Sequence, residues 1–187
     1  MRIISGELKG SSLYLTEDKN TRPLKDLARE SIFNLLLHSN KISFQLENSN
    51  VLDLYAGTGS FGLECVSRKA ESVFFIEKDT NALKVLKKNI KKLKIEKKVK
   101  IFFDDVFSSI KKINTLDSRF DLIFCDPPFK DNSLEKLINL IHNKNLLRKN
   151  GILIIHRNKS TKESLPKYFS IIDERVYGIS KIIFGKF

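Results

Sequence analysis

The chain has 187 residues, 41% of them hydrophobic and 30% charged, with a formal net charge of +12. That length suits one α/β domain with at most a small appendage, and no run approaches the ~18 apolar residues of a membrane-spanning helix. The surplus of positive charge favours an acidic macromolecular partner such as a nucleic acid, although 26 of the 34 basic residues are Lys, a bias that an A+T-rich genome also produces.

The opening Met1-Arg2-Ile3-Ile4-Ser5-Gly6 lacks the apolar core of a signal peptide, so a cytoplasmic protein is expected. Residues 2–5 and 12–15 predict a short hairpin around Glu7-Leu8-Lys9-Gly10. Residues 24–38 predict a helix with Leu24, Leu27, Ala28, Ile32, Leu35 and Leu36 on one face. A polar stretch over 39–50 then leads into the main domain, which divides the chain into an N-terminal extension over 1–45 and a domain over 46–187.

From Val51 onward strands near 51–55, 73–77, 99–103, 120–125 and 151–156 alternate with helices over 60–69, 79–94, 106–113 and 133–143. Short apolar strands separated by helices imply a parallel sheet covered on both faces. After Gly151 the pattern changes. Residues 169–177 and 179–184 read as a closing hairpin around Gly178, which makes a Rossmann-like, mostly parallel seven-stranded α/β sheet with a C-terminal antiparallel pair. The segment 84–100 carries nine lysines. Leu83, Leu86, Ile90 and Leu93 form the buried stripe of its helix, so the lysines take the opposite face, where they are either solvated or set against RNA phosphates.

The stretch Val51-Leu52-Asp53-Leu54-Tyr55-Ala56-Gly57-Thr58-Gly59 ends a strand and opens a helix, with Gly62 completing a G-x-G-x-x-G spacing. Glu77 follows 20 residues after Gly57, at the end of the next strand, where a carboxylate can accept both ribose hydroxyls of an adenosine cofactor. Nicotinamide dinucleotides and S-adenosylmethionine share that placement. Asp53 separates them: a carboxylate beside this turn opposes a pyrophosphate but suits a sulfonium and an ammonium. It can also cap the loop by accepting backbone N–H groups. Asp105 ends the third strand and can take an adenine amino hydrogen while the Val106 N–H meets a ring nitrogen, or can simply cap the next helix. Tyr55, Ala56, Gly57, Gly59 and Lys78 complete the expected cofactor contacts.

A second motif follows the apolar run Phe120-Asp121-Leu122-Ile123-Phe124-Cys125: Asp126-Pro127-Pro128-Phe129. Two prolines have no N–H and fixed φ, so they cannot extend the ladder and instead form a stiff corner. The corner presents a carboxylate, a proline carbonyl and an aromatic face together. A planar amino group on a ring fits it: Asp126 and the Pro127 carbonyl accept its two hydrogens, and Phe129 stacks on the ring. These residues point to methyl transfer onto an exocyclic nitrogen. Cys65 and Cys125 sit in apolar stretches without C-x-x-C spacing and read as buried thiols. His38, His142 and His156 lack metal-ligand spacing and read as structural, so no metal is expected.

Nearly end to end, the chain resembles the RsmD family of small-subunit rRNA guanine-N2 methyltransferases. The resemblance runs through Met1–Gly6, Leu8-Lys9-Gly10, Thr21-Arg22-Pro23, Arg29-Glu30-Ser31-Ile32-Phe33-Asn34, the loop from Asp53 to Glu64, the Asp126 corner and Tyr177-Gly178 to Phe184. It implies S-adenosylmethionine as cofactor and N2-methylguanine in 16S rRNA as product. It also implies an assembled or nearly assembled small-subunit particle as substrate; apart from the resemblance, a monomer with no membrane partner is expected. Arg2, Arg22 and Arg29 are then phosphate candidates. The chain departs from the family pattern at Leu24-Lys25 and at Ile155-His156-Arg157. Three rival readings stand beside this one: adenine-N6 methylation of DNA or RNA, a nicotinamide-dependent oxidoreductase, and a non-catalytic RNA-binding subunit.

Overall fold

A computed structural model describes residues 1–16, 26–114 and 119–187. Its sheet is built on β1 (Asn50–Leu54), β2 (Ser72–Ile76), β3 (Val99–Phe102), β4 (Phe120–Cys125), β5 (Leu147–Asn158), β6 (Ser170–Tyr177) and β7 (Ser180–Lys186) in the order β3-β2-β1-β4-β5-β7-β6. The first five pair in parallel, and β7 runs antiparallel to both β5 and β6. The seven-stranded sheet with a closing antiparallel pair is the expected architecture.

The central strands are apolar on both faces because both are covered. Side chains alternate along each strand. Val51, Phe75, Phe124 and Ile154 face α1 (Asp26–His38), α2 (Ser60–Ser67) and α3 (Thr80–Leu93). Leu52, Ile76, Ile123 and Ile155 face α4 (Val106–Lys112) and α5 (Leu134–Asn143). Phe33, Phe61 and Phe124 stack in series, with ring centroids 5.2 and 4.0 Å apart, and join α1 and α2 to the sheet.

Three details differ from the sequence reading. β5 starts at Leu147, four residues before Gly151, with a register shift between its pairs to Phe120 and Leu122. After Leu147 it passes through the polar Arg148, Lys149 and Asn150, with Arg148 held by Asp121 at 2.9 Å, so no continuous apolar run marks this stretch. The buried stripe of α1 is Ala28, Arg29, Ile32, Phe33 and Leu36, while Leu27 is 70% exposed; Leu24 lies outside the described residues. The helix is rotated because Phe33 enters the aromatic stack and Arg29 finds backbone acceptors. The N-terminal hairpin is reduced to one bridge, Arg2 to Ser12. The segment spends its polar groups on α2 instead: the Ile4 and Ser5 N–H groups donate to the buried Glu64 carboxylate at 2.8 and 2.9 Å. Ile3, Leu13, Ile32 and Leu46 belong to the same apolar cluster as the sheet, so the extension shares the main core. Among the described residues no helix is long and apolar enough to cross a membrane.

Candidate active site

The chain runs outward from β1 through β2 to β3, then returns to place β4 on the other side of β1. Leu54 ends level with Cys125 in that parallel pair. Connections leaving these two strands diverge in opposite directions, which opens a crevice at their C-terminal ends. A cavity of about 530 Å³ lies there. Its walls include Asp53, Tyr55, Ala56, Gly57, Glu77, Lys78, Asp105 and Val106, together with Asp126, Pro127, Pro128 and Phe129. Two motifs some 70 residues apart in sequence therefore share one cavity.

Gly59 is the expected loop residue that does not line it. Its φ of +88° opens α2, and a Cβ there would meet the Leu86 side chain at 2.4 Å. Gly62 works by close approach, since a Cβ would come within 2.3 Å of the Phe75 ring. The loop is held from below. Glu77 accepts the Gly57 N–H at 2.6 Å and the Asp79 N–H at 2.7 Å, and Ala56 N–H donates to the Ile76 carbonyl at 3.0 Å. Asp79 caps α3 through the Ala82 N–H, and Asp105 caps α4 through the Ser108 N–H. Asp105 thus performs the capping role the sequence allowed, and its bonds from Ser108 hold its carboxyl below the usual range.

Asp53 is 1% exposed and accepts the Gly62 N–H at 3.0 Å. Burial pushes its carboxyl up to about 8; the Gly62 bond opposes that, and the charges of Asp126 and Glu77 add to it. Among the described residues the walls carry the acidic side chains of Asp53, Glu77, Asp79, Asp104, Asp105, Asp126 and Asp131 against one ammonium, that of Lys78. Such a site attracts a cation and repels a pyrophosphate. The residues therefore fit a sulfonium cofactor with an adenosine moiety better than a dinucleotide.

The Asp126 corner is fixed from behind by Arg157, a fully buried side chain on β5. Its guanidinium donates to the Pro128 carbonyl at 3.0 Å and to the Asp131 carbonyl at 2.6 Å, and its Nε pairs with Glu163. Beside it, His156 Nδ1 lies 2.7 Å from Asp126 Oδ1, and the His156 ring meets Phe129 edge-on at 5.7 Å. Neither His156 nor Arg157 was picked out as a site residue from sequence. The available signal was a polar pair ending an otherwise apolar strand. Among the described residues no group of three or more His, Cys, Asp or Glu side chains is placed to hold a metal ion.

The three arginines expected near RNA part company. Arg2 is exposed, and Arg22 lies outside the described residues. Arg29 is fully buried, donating to the Arg2 carbonyl at 2.5 Å and pairing with Asp26 at 3.1 Å. The structure assigns its charge to fastening the N-terminal segment, which leaves no free guanidinium for a phosphate.

The family described as conserved hypothetical protein 95 matches residues 1–186. The chain is 34% identical over 174 residues to "Ribosomal RNA small subunit methyltransferase D" of Buchnera aphidicola from Acyrthosiphon pisum, covering 93% of this chain and 86% of that one. It is 31% identical over 179 residues to the protein of the same name from Haemophilus influenzae, covering 96% and 90%. The solved structure of yhhF from Escherichia coli superposes with a TM-score of 0.83 at 27% identity, covering 99% of this chain and 96% of that one.

Proposed function

The chain belongs to the RsmD family, described as conserved hypothetical protein 95, and from that membership we propose that it methylates the exocyclic N2 amino group of one guanine in 16S rRNA of the small ribosomal subunit. It is an S-adenosylmethionine-dependent rRNA methyltransferase. The observation that carries the mechanism is the shared cavity, in which the acid-lined cofactor loop faces the Asp126 corner across the β1–β4 switch point.

When bound, S-adenosylmethionine supplies a methyl group on a sulfonium that is already a good leaving group. What the protein must provide is alignment and an activated nitrogen. Glu77 suits the ribose hydroxyls, Asp105 and the Val106 N–H the adenine edge, and Asp53 the cationic end. The guanine amino group has its lone pair drawn into the ring. Accepting one of its hydrogens with the Asp126 carboxylate and the other with the Pro127 carbonyl favours a pyramidal nitrogen whose lone pair points at the methyl. As the N–C bond forms, the nitrogen turns positive and acidic; Asp126 stabilises that charge and takes the proton. Phe129 fixes the plane of the base by stacking. Arg157 supports this reading because it occupies the Pro128 carbonyl and stiffens the corner without entering the cavity wall. Residues 1–45 are read as the part that docks RNA and 46–187 as the catalytic domain.

The test is transfer of labelled methyl from S-adenosylmethionine to small subunits lacking the modification, beside naked 16S rRNA and duplex DNA, with Asp126→Ala as control. Incorporation into the particle, mapped to guanine N2 and lost in the variant, is expected. Label in adenine or only in DNA would overturn the assigned substrate.

A further inference from the structure

A second depression, of about 930 Å³, runs along the outer face of α3. One wall is Lys84, Val85, Lys88, Lys91 and Lys92, and the other is Tyr14, Leu15 and Thr16 of the N-terminal segment. Lys84, Lys88 and Lys91 follow one another at spacings of four and three residues, so they form a row about 10 Å long on one face. Among the described residues no acidic side chain lines this groove, and none of the three lysines pairs with a carboxylate. Lysines spaced this way repel one another, and a polyanion laid along the row relieves the repulsion.

The opposite wall is built rather than incidental. Asn89, fully buried, accepts the Tyr14 N–H at 2.8 Å and donates to the Tyr14 carbonyl at 3.1 Å. The same amide donates to the carbonyl of Thr58, a residue of the cofactor cavity, at 3.1 Å. The Lys92 ammonium sits 4.7 Å from the centre of the Tyr14 ring and donates to Ser12. A half-exposed aromatic ring is thereby held beside a row of lysines that pair with no carboxylate among the described residues. At the start of α3 the consecutive residues Asn81 and Ala82 line the groove and the cavity respectively.

We infer that this groove docks the unpaired RNA strand flanking the target base, with Lys84, Lys88 and Lys91 on its phosphates and Tyr14 beneath one of its bases. A row of cations and an aromatic platform are what a single strand needs; a helix face serving only solvation needs no platform. The inference rests on RNA being the substrate and names the surface that receives it.

The test measures binding of a single-stranded 16S fragment across a salt series for wild type, Lys84→Gln/Lys88→Gln/Lys91→Gln and Tyr14→Ala. Removing three phosphate contacts should lower the magnitude of the log K against log salt slope by about 2. Tyr14→Ala should weaken binding at least about fivefold with little change in slope. Both variants should bind S-adenosylmethionine as wild type does. A triple variant with wild-type slope and affinity, or a wild type that binds no RNA, overturns the groove. An equal loss on duplex RNA of the same length overturns its assignment to a single strand. If small subunits are not methylated while RNA binding still depends on the three lysines, the proposed reaction fails and the groove stands.

Discussion

His156 Nδ1 and Asp126 Oδ1 are 2.7 Å apart, and the other nitrogen of that ring is buried with no partner among the described residues. A carboxylate can only accept, so the ring proton of this bond sits on Nδ1. The bond immobilises one carboxylate oxygen and leaves the other to the substrate. His156 is then a positioning residue for Asp126. Replacing it with Phe should lower kcat between about 10- and 100-fold by loosening that alignment, with affinity for S-adenosylmethionine unchanged. His156→Asn, whose amide can donate from nearly the same place, should recover most of the loss. Equal kcat in the Phe and Asn variants would show that the ring only fills space.

Asp126 itself carries more. Asp126→Ala removes the acceptor for the amino hydrogen and for the developing charge, and turnover should fall by about 10²–10⁴. Cofactor affinity should stay within a few-fold, because the loop that closes on the cofactor belongs to β1 and β2. Single-turnover transfer and equilibrium binding measured on one preparation separate the two effects. A parallel loss of both would place Asp126 in the cofactor site instead.

The Glu64 carboxylate fastens the N-terminal segment, accepting from the Ile4 and Ser5 N–H groups and from Arg68 Nε at 2.9 Å. It is fully buried, so Glu64→Ala leaves two backbone donors and a guanidinium without their acceptor. A loss of about 2–4 kcal/mol is expected, visible as a melting temperature lower by roughly 5–15 °C. Glu64→Gln keeps one good acceptor and should cost about half as much. A melting temperature unmoved in both would mean the segment is held by Ile3 and Leu13 packing alone.

Much of this was legible in the sequence because the signals were local. The five parallel strands are apolar runs, the loop glycines have fixed spacing, and two prolines after a strand allow little but a corner. The closing hairpin was visible around Gly178, which takes φ +60°. What escaped is non-local or polar. Arg29 looks like a surface cation until Arg2 and Asp26 are folded against it. His156 and Arg157 acquire meaning only when β5 lies beside β4, which no spacing along the chain announces. The start of β5 is hidden by the polar Arg148, Lys149 and Asn150. Hydropathy alone points to the wrong face of α1 because Leu27 outranks Arg29, whereas tertiary hydrogen bonds decide which of the two is buried.

Asp53 gives the site a pH dependence. Its carboxyl holds a proton up to about 8 in the folded protein, against an ordinary value of 3.8. Between those limits the native state binds the extra proton, so this group makes stability fall as pH rises from about 4 to 8 and adds no further change above that. Asp53→Asn, which can still accept the Gly62 N–H, should flatten that part of the stability profile in urea midpoints taken from pH 5 to pH 8. A cationic ligand favours the ionised carboxylate. Binding of S-adenosylmethionine near pH 7 should therefore release up to about one proton and tighten as pH rises toward 8. Calorimetric titrations in buffers of different ionisation enthalpy count that proton. Release by wild type and none by Asp53→Asn is the expected pair of results. The same proton count in both proteins would move the source of the proton to another group and leave Asp53 as a loop cap alone.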